Sequence, residues 1–381
     1  MATNTLTDLI PDLYNAADVV SRELVGLIPA VTMNSSATTS AIDEKIRIPQ
    51  TQAAAAVAIT PAATAPDGPG QTIDNQYLTL NKSYMVPISW NGEQQMGFGN
   101  TGVYQSVFAQ QAAQAMRTLT NLIETDLGAL YVNACRAAGT AGTTPFATTF
   151  LGSSDTAKIL DDNGAPMDDR SLVLNTAAAA NLSNLLKGNF TSGGLASSLS
   201  GDLLTMDGFV YRKSAKVQGP AAKGTANGAY VIDGTGNLAI GSTTIKIKTG
   251  AGTLIVGDLV TIGGNAYMVK TGLAGPGTFT IHAPGLMTTV VDGDAVALAS
   301  GSTLYKANMA FSRDAIHLGL RAPAMPEGGD AAVDVTTIVD PKSGIPFQVA
   351  MYKQYRQVRY EVGVAWGVLA PKPQHLALLL G

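Results

Sequence analysis

The sequence predicts an α+β chain: one long helix, an extended β-hairpin arm before it, and a small β-barrel domain inserted after it. Three observations carry that expectation. Apolar residues recur at steps of three and four through Val103, Val107, Phe108, Ala112, Met116, Leu119, Ile123, Leu127, Leu130 and Tyr131, one face of a helix from about Gly102 to Ala138. Two alternating segments, near Lys45-Ile-Arg-Ile-Pro49 and from Tyr77 to Trp90, flank an Ala-, Pro- and Gly-rich stretch from Ala53 to Gly70 that has no packed face. From about Lys216 to Ser300 helical periodicity stops, and short β patterns separated by glycine turns replace it.

The elements follow in order. Residues 1–40 read as an N-terminal arm with an amphipathic helix over 8–28, lined by Leu13, Ala16, Ala17, Val20, Leu24 and Leu27. Residues 41–95 make the hairpin arm, and Asn91-Gly92 signals a turn at its end. Residues 96–150 hold the long helix, capped by Asn100 or Thr101 and ended by Gly139, roughly 55 Å long. In 151–215 a strand over 168–175 enters a helix over 176–186. Residues 216–300 form the inserted β domain, where Gly263-Gly264 joins two strand patterns as a tight hairpin. Residues 301–381 return to sheet, with alternation over 333–339 and 358–368 and an apolar end from His375 to Gly381.

The wet side of the long helix is unusual. No Asp, Glu, Lys or Arg lies between Glu93 and Arg117, and the polar face carries Gln105, Gln110, Gln111, Gln114 and Asn121. A glutamine hydrogen-bonds without the desolvation cost of a charge, so it suits a face that meets another protein. An ordinary helix that uses Gln toward water would give the same pattern. Over the whole chain charged residues are 14%, against roughly 25% in an average soluble protein. Such a chain is either β-rich and extracellular or largely covered by neighbours.

Several function classes are excluded. The net charge of -4 and the lack of a Lys/Arg cluster leave only loose contact with nucleic acid. Cys135 is the only cysteine, so no disulfide framework exists, and its place on the apolar stripe reads as a buried thiol. The N-terminus has no basic-then-apolar signal pattern, and the apolar runs are too short to span a membrane, which points to synthesis in the cytoplasm. His282, read as facing outward from a strand, and His317 and His375 lack partners at metal-binding spacing. Gly234-Thr-Gly236 follows a strand pattern but leads into β-prone sequence, so it reads as a turn and not a dinucleotide site. Asp161-Asp-Asn-Gly164 lacks the acid at the twelfth position of a calcium loop. No catalytic, cofactor-binding or metal-ligating residue is expected. Lys353, Arg356 and Arg359 lie among Tyr352, Tyr355 and Tyr360, an interleaving that fits subunit contacts or sheet-surface pairs, with nucleic acid as the other reading.

The C-terminal third carries a resemblance. Asn308-Met-Ala-Phe-Ser-Arg-Asp-Ala315, Asp340-Pro-Lys-Ser-Gly344, the tyrosines 352, 355 and 360, and the Trp366-Gly367 pair resemble segments of tailed-phage major capsid proteins. The order of elements over nearly the whole chain is similar as well. The β insertion makes it look like the coat proteins of short-tailed lambdoid phages, although Trp366 stands where Tyr is commoner. The resemblance implies the Hong Kong 97 fold, with the long helix as spine of a peripheral domain, an axial domain and the extended arm.

It further implies an icosahedral shell of pentamers and hexamers around a double-stranded DNA genome. The shell would be assembled in the host bacterial cytoplasm with a scaffolding protein and a portal protein and would expand on maturation, and the resemblance leaves open whether a decoration protein is used. Arg47, Lys82, Gln105, Gln110, Gln114, Arg313, Asp314, Arg356 and Arg359 are the expected subunit-contact residues. Some relatives cross-link a Lys on the arm, but nothing marks Lys82 as activated. Two other readings remain: a β-rich adhesin, and a bacterial nanocompartment shell of the same fold.

Overall fold

A six-stranded sheet and a larger second sheet sandwich the long helix in the computed structural model, which describes residues 25–51, 56, 59, 61, 73–100, 104–189, 205–225, 230–235, 239–299, 304–340 and 343–381. Most of the expected N-terminal helix and of the arm's tip lie outside these residues.

The first sheet runs Thr32–Ser40, His317–Pro323, Gln357–Leu369, Pro346–Gln354, Ala332–Val339, and Lys82–Asn91 also pairs along Gln357–Leu369. Side chains alternate across a strand. Tyr360, Val362, Val364 and Trp366 are therefore buried on the face that meets the long helix, each 2% exposed or less. Their odd-numbered neighbours, Arg359 to Gly367, turn to the opposite, open face.

The long helix is Tyr104–Ala129, 26 residues, or about 39 Å. It is shorter than its pattern suggested. Leu130–Asn133 tightens to a 3-10 turn, and Arg136–Ala138 becomes a strand between Asn265–Thr271 and Leu376–Leu380. Sheet pairing at both edges overrides a continuing apolar stripe. Thr101 and Gly102, an expected cap and the expected first residue of this helix, lie outside the described residues, and the segment before them differs from its expectation. Asn91 is the cap of a separate helix, Gly92–Asn100, not a hairpin turn: Gln94 N–H donates to Asn91 Oδ1 at 2.7 Å and Asn91 N–H donates to Gln94 Oε1 at 3.2 Å.

The second sheet is ordered Thr205–Met206, Phe209–Lys213, Arg170–Leu174, Ala307–Ser312, Leu376–Leu380, Arg136–Ala138. One face joins the helix core through Val173, Met309, Phe311 and Leu378. The other packs Leu172, Leu174, Phe209 and Tyr211 against the helices Leu151–Asp162 and Thr176–Asn189.

Arg136–Ala138 also hands the sheet to a ring of six antiparallel strands. In order these are Asn265–Thr271, Gly277–Ile281, Thr244–Thr249, Tyr230–Ile232, Ala295–Leu298 and Leu259–Ile262, and the last pairs back with the first. Closure removes free edges. Tyr230, Ile247, Val260, Tyr267 and Phe279 fill the interior. Gly263 and Gly264, at φ +55° and +80°, turn the chain between Leu259–Ile262 and Asn265–Thr271.

Candidate subunit-contact surface

The arm begins as Glu44–Thr51 paired in full register with Ile73–Leu80. Its inward face, Ile46, Leu78 and Leu80, lies on the open face of the first sheet at the cross-strand pair Gly319 and Gly367. A Cβ at Gly367 would stand 2.0 Å from the Thr79 carbonyl oxygen, and one at Gly319 would stand 2.8 Å from both leucine side chains. Glycine is therefore required here by close approach. Farther out, Gln50 Nε2 donates to the Pro371 carbonyl at 2.7 Å, and Gln76 Nε2 donates to the same oxygen at 3.4 Å.

On the helix side the arm's exit is pinned by three residues. Lys82 Nζ meets Asp126 Oδ1 at 2.7 Å, and the buried Trp366 indole N–H donates to Asp126 Oδ2 at 2.7 Å. The Trp366-Gly367 pair thus serves both faces of one strand: the indole grips the helix, and the glycine admits the arm.

A second pin fixes the incoming chain. Glu124 is 1% exposed within the apolar stripe of the long helix. Its carboxylate accepts N–H bonds from Gly26 (2.8 Å), Leu27 (2.7 Å) and Ile28 (3.0 Å), and from the Ser214 hydroxyl. Burial outweighs these donors and holds its pKa above the ordinary 4.5.

The outward side of the long helix presents Gln110, Gln111, Gln114, Arg117, Thr118 and Leu122. Arg117 is the one charged residue among those exposed from Gln110 to Leu122. Gln111 Oε1 accepts the Trp90 indole N–H at 2.9 Å. A shallow groove of about 270 Å³ runs between Gln111, Gln114 and Thr118 and the strand residues Val86 to Ser89.

The nine residues expected at subunit contacts do not converge. Arg47 is exposed on the arm and donates to Asn75 Oδ1. Lys82 is the ion pair just described. Gln110 and Gln114 share the helix face, and the Gln105 side chain lies outside the described residues. Arg313 and Asp314 form a 3-10 turn in which Thr32 Oγ1 donates to Asp314 Oδ1 at 3.0 Å. Arg356 sits at φ +55° in the turn between Gln354 and Gln357, and Arg359 Nε pairs with Glu361 Oε1 at 2.7 Å. Sequence reasoning passed over Glu124, Asp126 and the groove. For Glu124 the signal was an acid inside the apolar stripe, four residues after Thr120 and three before Leu127.

Other titratable groups are structural. His282 does not face outward: it is 6% exposed and hydrogen-bonds the Val132 backbone, and burial lowers its pKa to about 4. The sheet strand ends at Ile281, so alternation stops one residue too early to place it. Burial pushes the Cys135 thiol, 1% exposed, up to about 11. Asp161 and Asp162 pair with Arg170 and Arg136 at 2.7 and 3.1 Å. Among the described residues no group of three His, Cys, Asp or Glu could hold a metal ion, and no helix is long and apolar enough to cross a membrane.

No family model matches the chain, and no curated protein does. Solved structures do. The capsid of the cyanophage P-SCSP1u is similar at 12% identity over 92% of this chain and 86% of that one, with a TM-score of 0.45. The mature capsid of bacteriophage PhiM1 is similar at 10% identity, 92% and 85% coverage and a TM-score of 0.43. A virus-like particle from Pyrococcus furiosus is similar at 9% identity, 98% and 97% coverage and a TM-score of 0.43.

Proposed function

We propose that this chain is a tailed-phage major capsid protein that self-assembles into the icosahedral shell around a double-stranded DNA genome. The observation that carries the reading is the outward face of the long helix. From Gln110 to Leu122 it offers amides, a threonine, a leucine and one arginine to the outside. Buried against a second copy, the amides can hydrogen-bond and no carboxylate has to be desolvated.

The arm fits the same role. It is fixed at its root by Gly319, Gly367 and the Lys82–Asp126–Trp366 contacts, and it carries its outward side, Lys45, Arg47 and Tyr77, away from its own subunit. Lapped over a neighbour, it would add contact area without altering either core. The accessible surface is 18,701 Å², against about 14,000 Å² for a compact chain of this mass. Four to six neighbours at roughly 800 Å² each would cover about a sixth to a quarter of it.

Pentamers and hexamers close through heterologous contacts. A scaffolding protein would set curvature, a portal protein would occupy one vertex, and a decoration protein could sit on the finished surface. Expansion from a procapsid would turn subunits as rigid bodies. Contact with the packaged DNA would be loose, and no catalysis is assigned. Sedimentation and negative-stain microscopy of the protein, expressed alone and with its neighbouring open reading frames, tests the reading. Closed particles of uniform diameter support it. A permanent monomer or a soluble trimer, as an adhesin would give, overturns it. Particles filled with a cargo enzyme instead of DNA would move the reading to a nanocompartment shell.

A further inference from the structure

Two short segments carry the chain between the sheets, and they run side by side. One leaves Ala307–Ser312 in the second sheet, turns through Arg313–Ala315 and enters His317–Pro323 in the first. The other leaves Gln357–Leu369 in the first sheet, turns through Pro373–His375 and enters Leu376–Leu380 in the second. They are paired at both ends, Phe311 with Leu376 and His317 with Leu369. Other parts of the fold are tied to them. Thr32 N–H donates to the Ile316 carbonyl at 3.0 Å, and Thr32 Oγ1 donates to Asp314 Oδ1 at 3.0 Å. The arm is tied to the second crossover, where Gln50 Nε2 donates to the Pro371 carbonyl at 2.7 Å.

Each crossover carries a histidine. His317 is half-buried and hydrogen-bonds the Asp314 backbone. His375 is half-buried too, and its Nδ1 is enclosed with no hydrogen-bond partner among the described residues. Asp314 and Lys372 act on both rings, and Arg170, directly across from Ser312, acts on His375 as well. Arg170 is itself paired with Asp161, and Arg313 acts on Arg212. One carboxylate, Asp314, is thus shared by two rings that already face Lys372. Burial, and after it Lys372, holds both histidines below the ordinary 6.5. The stability that comes from keeping them neutral is whole above pH 6.5 and is lost as pH falls through the folded values.

We propose that the paired crossovers are an acid-sensitive joint between the two sheets: with protons on His317 and His375, two new positive charges stand beside Lys372 and Arg170 with Asp314 to meet them, and the crossovers part. The arm root at Pro371 and the entering chain at Thr32 loosen with them. The joint lies within one subunit, so its test uses unassembled protein and is separate from the shell reading.

Hydrogen exchange of the full chain at pH 7.5 and pH 5, corrected for the intrinsic effect of pH, measures it. In wild type, protection over 312–318 and 369–377 should fall about tenfold at pH 5 relative to protection over the long helix. In the double variant His317→Gln, His375→Gln that ratio should stay within about twofold. Lys372→Gln keeps both histidines and should cut the wild-type loss about threefold, which keeps the test open where the double variant does not fold. A wild-type ratio that does not move with pH, or a loss of the same size in Lys372→Gln or in a folded double variant, overturns the joint.

Discussion

Removing the Glu124 carboxylate is the sharpest perturbation this fold offers. Three backbone N–H groups, those of Gly26, Leu27 and Ile28, end on its two oxygens at 2.7–3.0 Å, all buried. In Glu124→Ala they have no acceptor. An orphaned buried donor costs about 1–3 kcal/mol, and water entering the small cavity recovers part of that. The loss should be about 3–5 kcal/mol. Glu124→Gln keeps the shape and one carbonyl oxygen, which can hold the Gly26 and Leu27 bonds, and it opposes an amide N–H to Ile28. About 1–2 kcal/mol is expected.

The assay is urea unfolding of unassembled protein followed by circular dichroism, with stability read from the midpoint at an unchanged slope. The pH dependence carries its own sign. The folded carboxyl has a pKa above 4.5, so its contribution is fully present below 4.5 and is lost as pH rises through the folded value. Wild type should therefore weaken relative to Glu124→Gln as pH rises above 4.5. An alanine variant within 0.5 kcal/mol of wild type, or a pH slope unchanged in the glutamine variant, would refute the reasoning.

Four further outcomes follow from the same geometry. His282 keeps a pKa near 4 in the fold against 6.5 unfolded, so wild type should lose up to about 3 kcal/mol as pH falls from 6.5 to 4, and His282→Phe should flatten that slope in pH-dependent urea titrations. Gly367→Ala drives a Cβ to 2.0 Å from the Thr79 carbonyl, so the arm root must lift. Hydrogen exchange at Leu78–Leu80 should rise at least tenfold while Tyr360 to Val364 stays protected. Asp126→Ala orphans the buried Trp366 N–H and should cost about 2–3 kcal/mol, whereas Lys82→Met removes a half-exposed ion pair and should cost less than about 1 kcal/mol, both by urea midpoint. Cys135 should not react with a thiol reagent at pH 8 in the native protein and should react within seconds in 6 M guanidinium.

Which features were legible in the sequence follows from how local their causes are. The long helix showed itself because its buried face, Phe108 to Leu127, repeats at the helical period. Its end did not, because Arg136–Ala138 is claimed by strands from 265–271 and 376–380, and no local pattern records a partner more than a hundred residues away. Leu151–Asp162 was missed for a related reason. Its buried face uses Ser153 and Thr156, and Gly152 presses on Leu379, so small residues hide the stripe that larger ones would have drawn.

The short C-terminal motifs were visible before their reasons were. Asn308 ties its strand to Leu376–Leu380 and to the residue just past Arg170–Leu174: its Nδ2 donates to Leu379 O and its Oδ1 accepts Asn175 N–H. Asp340 closes the turn in which Gly344 takes φ +70°. The expected contact residues scattered because exposed charge marks a surface, and it does not mark which surfaces meet.

The claim beneath all of this is that the amide-bearing side of the long helix is an interior surface of an assembly. A cryo-electron reconstruction of particles purified from expressing cells measures it directly. The account requires Gln110, Gln114 and Leu122 to lie within contact distance of an adjoining copy throughout a closed shell. A shell in which those side chains line open solvent at every position, or a protein that stays at 39.2 kDa under all partner conditions, would contradict it.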